Sequence, residues 1–386
     1  MNTLTLKSKS PGFTLVELMV AITIGLIILA VLSVVYVGSK RTYRSQEALS
    51  RLQENGRYAI DFLGRDLRMA GYMGCIGPGA AFNNIANPIA GWTPLAPTTP
   101  PSLEGIIGYE QASVPSSGFP VTKGEVKANT DVVEIQHFSA TGAKVTVTSA
   151  SSPPPSTANV QIAGNPLNFQ KYEVLVVSDC ASADIFAATS VSSSSGKVTI
   201  AHASSNNTGN NTSKAYADNA EIMRLETSVY YISSSTGLCP PDSLCRKRLG
   251  FYASTATPWC VDAAATGATL GFCVEQVAEG VEDMQVLYGV NTTNDPNNTA
   301  DRFVNAAAIT TSNCTANALC WGHVVSARIN LLLRTVDATV SPDNLTAYPA
   351  SQIPLFNGPS FAPTIATPRA YRRVYTETVT LRDRAL

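Results

Sequence analysis

The sequence predicts an α+β fold: one long N-terminal helix, membrane-spanning in its first half and amphipathic in its second, packed on a β-rich globular head with antiparallel sheet and disulfides. Three observations predict it. An uncharged apolar run, Leu18–Ser39, opens a stretch with no proline between Pro11 and Pro78. From Asp131 onward short apolar runs alternate with turn-formers, the pattern of antiparallel strands. All eight cysteines lie beyond the apolar run, and an even count in an exported domain favours disulfides.

Composition narrows the function classes. The 386 residues carry 27 Lys+Arg against 28 Asp+Glu, a net charge of −1, where a nucleic-acid binder shows a basic domain or stripe. Only 14% of residues are charged, against roughly 25% in an average soluble domain.

The N-terminal segment to Pro11 is polar, with Lys7 and Lys9. Gly12-Phe13-Thr14-Leu15-Val16-Glu17 follows, then the 22 uncharged residues Leu18–Ser39. At about 1.5 Å per residue these cover roughly 33 Å as a helix, enough for a bilayer core. A secretory signal has an apolar run of only about 7–15 residues before its cleavage site; the small residues at Val37-Gly38-Ser39 are a weak match to such a site. Glu17 is the anomaly. A carboxylate at the centre of a membrane helix costs about 2.5–3.5 kcal/mol, less near an end. It either pairs with a cation, or lies at headgroup level where the helix dipole favours an anion.

Gly12-Phe13-Thr14-Leu15-Val16-Glu17, between a short basic leader and an apolar run, resembles the class III signal of type IV pilins and type II secretion pseudopilins. In that family a prepilin peptidase cuts after the glycine and methylates the new N-terminus. The resemblance makes 1–12 a leader with Gly12 its last residue, Phe13 the first and N-methylated mature residue, and 13–39 a retained transmembrane and filament-core helix. Glu17 falls where family members contact a neighbour's N-terminal amine, and pairing across subunits in a low-dielectric setting would favour correctly staggered assembly. A contact with its own Phe13, one turn away, is the competing local reading. Lys40, Arg41, Arg44 and Arg51 outnumber the leader cations, so the positive-inside rule leaves orientation open. The resemblance and the cysteines put the C-terminal bulk outside the cytoplasm.

The stretch 40–74 continues the helix. Leu49, Leu52, Ala59, Leu63, Leu67 and Ala70 recur at intervals of three, four or seven, interleaved with Arg51, Glu54, Arg57, Asp61, Arg65 and Arg68, a stripe that lies on a globular domain. Gly56 and Gly64 each cost about 1 kcal/mol relative to Ala and mark soft points. Gly71-Tyr72-Met73-Gly74-Cys75 ends the helix, which at about 55 residues is some 80 Å long.

Residues 75–124 read as a loop-rich connection, 125–220 as a β-rich subdomain and 221–386 as a C-terminal antiparallel β domain. The clearest strands are Val132–Ile135, Lys144–Val147, Tyr172–Val177, Lys197–Ile200, Ile222–Ile232, Met284–Val290, His323–Arg334 and Tyr371–Arg382. Asn206–Ser213 reads as a flexible, solvated loop, and the Asn-x-Thr/Ser triplets there and at Asn291, Asn297, Asn313 and Asn344 as solvated loops. Val177–Phe186, Val281–Gly289, Ala327–Arg334 and Tyr371–Arg382 resemble the corresponding parts of PilW-type minor pilins. Many major pilins have a helix-bending proline within the span; this sequence lacks it.

Short separations suggest Cys239–Cys245, Cys260–Cys273 and Cys314–Cys320, leaving Cys75 with Cys180, one of about a hundred connectivities. Zinc is disfavoured: there is no Cys-x-x-Cys pair, and His137, His202 and His323 are scattered. No His-Glu-x-x-His, Gly-x-Ser-x-Gly, Walker loop or dinucleotide fingerprint occurs, so neither a catalytic site nor a cofactor is expected. Asn294-Asp295-Pro296-Asn297-Asn298 with Asp301 offers oxygen ligands for calcium but reads better as a plain turn. Arg246-Lys247-Arg248 reads as a solvated turn.

The resemblance implies a minor pilin that primes type IV pilus assembly near the tip. Its partners would be other minor pilins, the major pilin, the inner-membrane assembly platform, the prepilin peptidase and a tip adhesin. Localisation would be the inner membrane, head in the periplasm, and then the pilus. The alternatives are a minor pseudopilin of type II secretion and a tip adhesin or receptor head.

Overall fold

The structure is a computed structural model. It describes residues 12–76, 81–87, 105–115, 119–139, 141–146, 159–194, 196–216, 219–234, 237–252, 259–261, 269–293, 299–309, 319–336 and 370–381.

Helix α1 spans Leu15–Met69, 55 residues, about 80 Å at 1.5 Å per residue. It ends where Gly71 takes φ +81°, the left-handed conformation that terminates helices. The Gly71 N–H then donates to Gln136 O (2.9 Å) and Phe138 N–H to Tyr72 O (2.8 Å), which stitches the helix end to the head. The apolar stripe is the buried one: Leu52, Ala59, Leu63, Leu67 and Ala70 are buried, with Leu49 packed at the edge.

Gly56 and Gly64 correct the expectation of soft points. A Cβ on Gly56 would lie 2.2 Å from the Tyr375 ring, and one on Gly64 would lie 2.7 Å from the Glu377 carboxylate. The missing side chains are notches through which a head strand crosses the helix.

The head contains β1 (Ala81–Asn84), β2 (Ile106–Glu110), β3 (Asp131–Phe138), β4 (Ala143–Lys144), β5 (Asn159–Ala163), β6 (Val174–Ser178), β7 (Ser182–Ala187), β8 (Ser190–Ser194), β9 (Lys197–Ala201), β10 (Glu221–Ile232), β11 (Ser243–Tyr252), β12 (Cys260–Val261), β13 (Thr269–Glu279), β14 (Val281–Val290), β15 (Arg302–Val304), β16 (Val324–Arg334) and β17 (Arg372–Thr380). A large sheet runs β1-β7-β6-β10-β11-β12, with β13 on β11, β3 and β4 on β10, and β2 on β3. A second sheet runs β15-β14-β16-β17 and a third β5-β9-β8. The β1–β7 ladder is parallel; the other ladders among the described residues are antiparallel. The long strand β10 forks: Glu221–Arg224 pairs with β6, and Ser228–Ile232 with β11.

The helix stripe shares one core with Ile106, Val133, Ile135, Tyr230 and Ile232 of the large sheet and with Met284, Ile329, Leu331, Leu333 and Val379 of the second. A separate core fills the space between the large and the third sheet, around Phe169, Phe186, Ile162, Ile200 and Ile222.

Several sequence expectations change here. The strand at Lys144–Val147 reduces to Ala143–Lys144 and a bridge from Val145 to Ile162; Val147 lies outside the described residues. Asn206–Ser213 is anchored rather than loose: buried Asn207 accepts from Ala187 N–H (2.7 Å) and donates to the carbonyls of Ala187 (3.0 Å) and Ala203 (2.9 Å).

Arg246-Lys247-Arg248 is not a turn but the middle of β11. Arg246 and Arg248 both bond Glu275 across the ladder (2.5 and 2.6 Å), Arg246 reaches Asp66 on α1 (3.3 Å), and Lys247 is buried against Glu125 (2.7 Å). Each cation is neutralised by an acid distant in sequence, so a basic run can enter a sheet. A second chain of charges links β17, β14 and β16: buried Arg372 bonds Glu282 (2.7 Å), Glu282 meets Arg334 (3.3 Å), and Arg334 bonds Asp242 (3.1 Å).

Disulfides join Cys75 to Cys180, Cys239 to Cys245 and Cys260 to Cys273, the last two being pairs that short separation suggests and the first the pair that it leaves over. Cys320 is disulfide-bonded; Cys314 lies outside the described residues.

Candidate assembly and processing site

The chemistry-bearing residues of the stem sit at the start of α1. Thr14 is the N-cap, extended at φ −78° and ψ 154°. Its hydroxyl accepts from the Glu17 N–H (3.2 Å), and one Glu17 carboxylate oxygen accepts from both the Thr14 N–H (2.9 Å) and its hydroxyl (3.0 Å). This is a reciprocal capping box, which satisfies helix-end donors that otherwise have no partner. Of the local readings of Glu17, the structure therefore holds a self-contact, made to Thr14.

The box fixes where helix stops. Gly12 and Phe13 lie on its non-helical side. Phe13 is 90% exposed, and a Cβ on Gly12 would meet nothing within 4 Å. The Gly12–Phe13 peptide is thus non-helical and exposed, as a peptidase substrate must be. Residues 1–11, with Lys7 and Lys9, lie outside the described residues.

The sequence expectation missed Thr14. The signal was present, because Thr14-Leu15-Val16-Glu17 before an apolar run has the spacing of a capping box.

Beyond the box the helix is exposed along its apolar half: Leu15, Val16, Leu18, Ile27 and Val34 all leave more than half of their surface uncovered. It is long and apolar enough to cross a membrane. Residues 7–33 match the prokaryotic N-terminal methylation motif, and residues 229–383 match the family model described as type IV pilus-assembly protein W. In these two segments the chain is similar to PilW-type, pilin-like proteins that carry a class III signal. Comparisons with curated proteins and with solved structures found no match.

The PilW match runs from the second half of β10 through β17. It includes Val281–Gly289, Ala327–Arg334 and Tyr371–Arg382, whereas Val177–Phe186 lies outside it. It also holds β13, β16 and β17, the strands with the most contact to α1, while β3, which meets the end of the helix, lies outside it. The N-terminal methylation motif and the apolar helix fit a pilin that is anchored in the inner membrane and is later in the pilus.

Other candidate chemistry is sparse. No three His, Cys, Asp or Glu side chains are placed to hold a metal ion among the described residues. Asn294–Asn298 of the calcium candidate lies outside them, and the Asp301 carboxylate is taken by the Thr292 N–H and hydroxyl, both at 2.7 Å. Those bonds hold its pKa below the ordinary value. His202 is buried against the Phe186 ring, and burial pushes its pKa down, keeping it neutral.

Proposed function

We propose that this PilW-type chain is a minor pilin, a structural subunit rather than an enzyme, that primes type IV pilus assembly and sits near the tip with other minor pilins. The prepilin peptidase cuts between Gly12 and Phe13 and methylates the Phe13 amine. Glu17 then neutralises the corresponding amine of an adjacent subunit in the filament core. The observation that carries this reading is the exposed apolar helix that begins, one residue after the marked bond, at an acid-bearing cap. An apolar surface of that extent demands lipid or other helices as its cover.

The decisive experiment is mass spectrometry of mature protein. The expected N-terminus is Phe13 carrying one methyl group, and substitution of Gly12 should leave unprocessed, slower-migrating material. A mature chain that begins elsewhere, or one that has shed the apolar helix, would refute the assignment. Deletion should reduce surface pili; loss of enzyme secretion with normal piliation would favour the pseudopilin alternative.

A further inference from the structure

Immediately past the apolar run α1 carries Lys40, Arg41 and Arg44, and no carboxylate until Glu47. Glu47 is committed to Arg51 at 2.7 Å, so the charge of the three cations is not balanced by it. All three are exposed, and none forms an ion pair among the described residues. Tyr36, Lys40, Tyr43 and Arg44 stand at i, i+4, i+7 and i+8, one stripe of the helix, and Arg41 adjoins Arg44 at i, i+3. The tyrosines are 68% and 67% exposed.

Aromatic rings and cations at the end of a bilayer-length run are what a membrane–water interface selects, and long cationic side chains extend along apolar surface to reach it. The run of 22 residues spans roughly 33 Å against a core of about 30 Å, which sets this stripe at the depth of the lipid phosphates. The cations also stand on the head side, where the positive-inside rule disfavours them. An anionic surface on that side would offset this.

We propose that Tyr36, Lys40, Arg41, Tyr43 and Arg44 form a collar that binds the phosphodiester headgroups of anionic phospholipids in the leaflet nearest the head. The collar holds the anchored subunit at a fixed depth before it enters a filament. Lipid is the occupant because the stripe continues the lipid-facing surface without a break and because its charge complements a phosphodiester. The proposal rests on the membrane anchoring of the helix.

The test uses full-length protein in phosphatidylcholine nanodiscs containing a trace of spin-labelled phosphatidylglycerol or spin-labelled phosphatidylcholine. The fraction of motionally restricted label is read by electron paramagnetic resonance. The wild type should prefer phosphatidylglycerol by about fivefold, the effect of one cation near an anionic surface. High salt and the triple substitution K40Q/R41Q/R44Q should each abolish the preference. Arg57→Gln, about 20 Å farther along the helix and beyond the screening length, should leave it intact. Equal association of both lipids with the wild type overturns the proposal. So does a preference that survives the triple substitution, including one that survives while co-purifying pilins are lost, which would assign the collar to an acidic partner. Failure of the wild type to enter nanodiscs at all would instead overturn the anchoring itself.

Discussion

The carboxylate of Glu17 is held by two donors of its own Thr14, so a neighbour's amine must compete with a filled capping box rather than with water. Glutamine can serve the same capping position without the charge, which lets the two roles be separated. Glu17→Gln should be processed normally and keep its helix start, yet incorporate poorly into pili, as should Glu17→Leu. Normal piliation by the glutamine variant alone would leave Glu17 with only its capping role. Asp283 faces the opposite problem inside the head. It is buried, with one carboxyl oxygen lacking a hydrogen bond, and burial raises its pKa to about 7. Asp131 beside it is raised too, by burial and by Glu110 opposite it on β2. A carboxyl raised in this way binds its proton more tightly folded than unfolded. Its stabilising effect is therefore fully present only below the ordinary carboxyl value of 3.8 and is lost progressively as pH rises from there to about 7. The stability of Asp283→Asn relative to wild type, in denaturant unfolding of the detergent-solubilised protein, should be greater at pH 8 than at pH 5 by about 2–3 kcal/mol. A pH-independent difference would show that the carboxyl does not titrate in this range.

Helix α1 and the strand β17 that crosses it show what sequence can and cannot reveal about an element. The helix was legible from end to end, because its proline-free length, apolar period and terminal glycine are all local signals. Strands β3, β6, β10, β14, β16 and β17 were legible for the same reason, as runs of β-branched and aromatic residues. Strand β11 was not, since its basic centre becomes acceptable only once Asp66, Glu125 and Glu275 arrive from elsewhere. Strand β7 carries Asp184 at its buried centre, satisfied by Asn83, Ser213 and Tyr216, again a non-local solution. At the candidate site the residues Gly12, Phe13 and Glu17 were legible by their spacing, while the part played by Thr14 was overlooked. Gly56 and Gly64 likewise look like weak points by propensity and are notches by packing. Alanine gains about 1 kcal/mol of helix propensity over glycine, but at Gly56 it would strike the Tyr375 ring, whose hydroxyl donates to Leu52 O at 3.3 Å. Overpacking costs about 1–3 kcal/mol. Gly56→Ala should therefore lower the midpoint of thermal unfolding, whereas Gly25→Ala, with nothing within 4 Å, should not. Equal behaviour of the two would mean that β17 does not press on the helix.

The whole molecule depends on how a stem gripped by the PilW-matched strands is coupled to the β5–β9 side of the head. Noncovalently, β10 does this by pairing with β6 in its first half and β11 in its second. Covalently, Cys75, six residues past the end of α1, is bonded to Cys180 in the turn between β6 and β7. Both of these cysteines are exposed, so breaking the bond empties no core. Its contribution should come through the unfolded chain, where closing a loop across a sequence separation of 105 removes about 4–5 kcal/mol of conformational freedom by the loop-entropy estimate. The separation at Cys239–Cys245 is only 6, and the same relation gives about 2 kcal/mol there. Replacing Cys75 and Cys180 together by serine should thus destabilise the head by about 3–5 kcal/mol in denaturant unfolding while leaving the native far-ultraviolet circular dichroism spectrum unchanged. A loss below about 1 kcal/mol would assign the coupling to β10 alone. A changed native spectrum would show that the bond shapes the folded head as well as restraining the unfolded one.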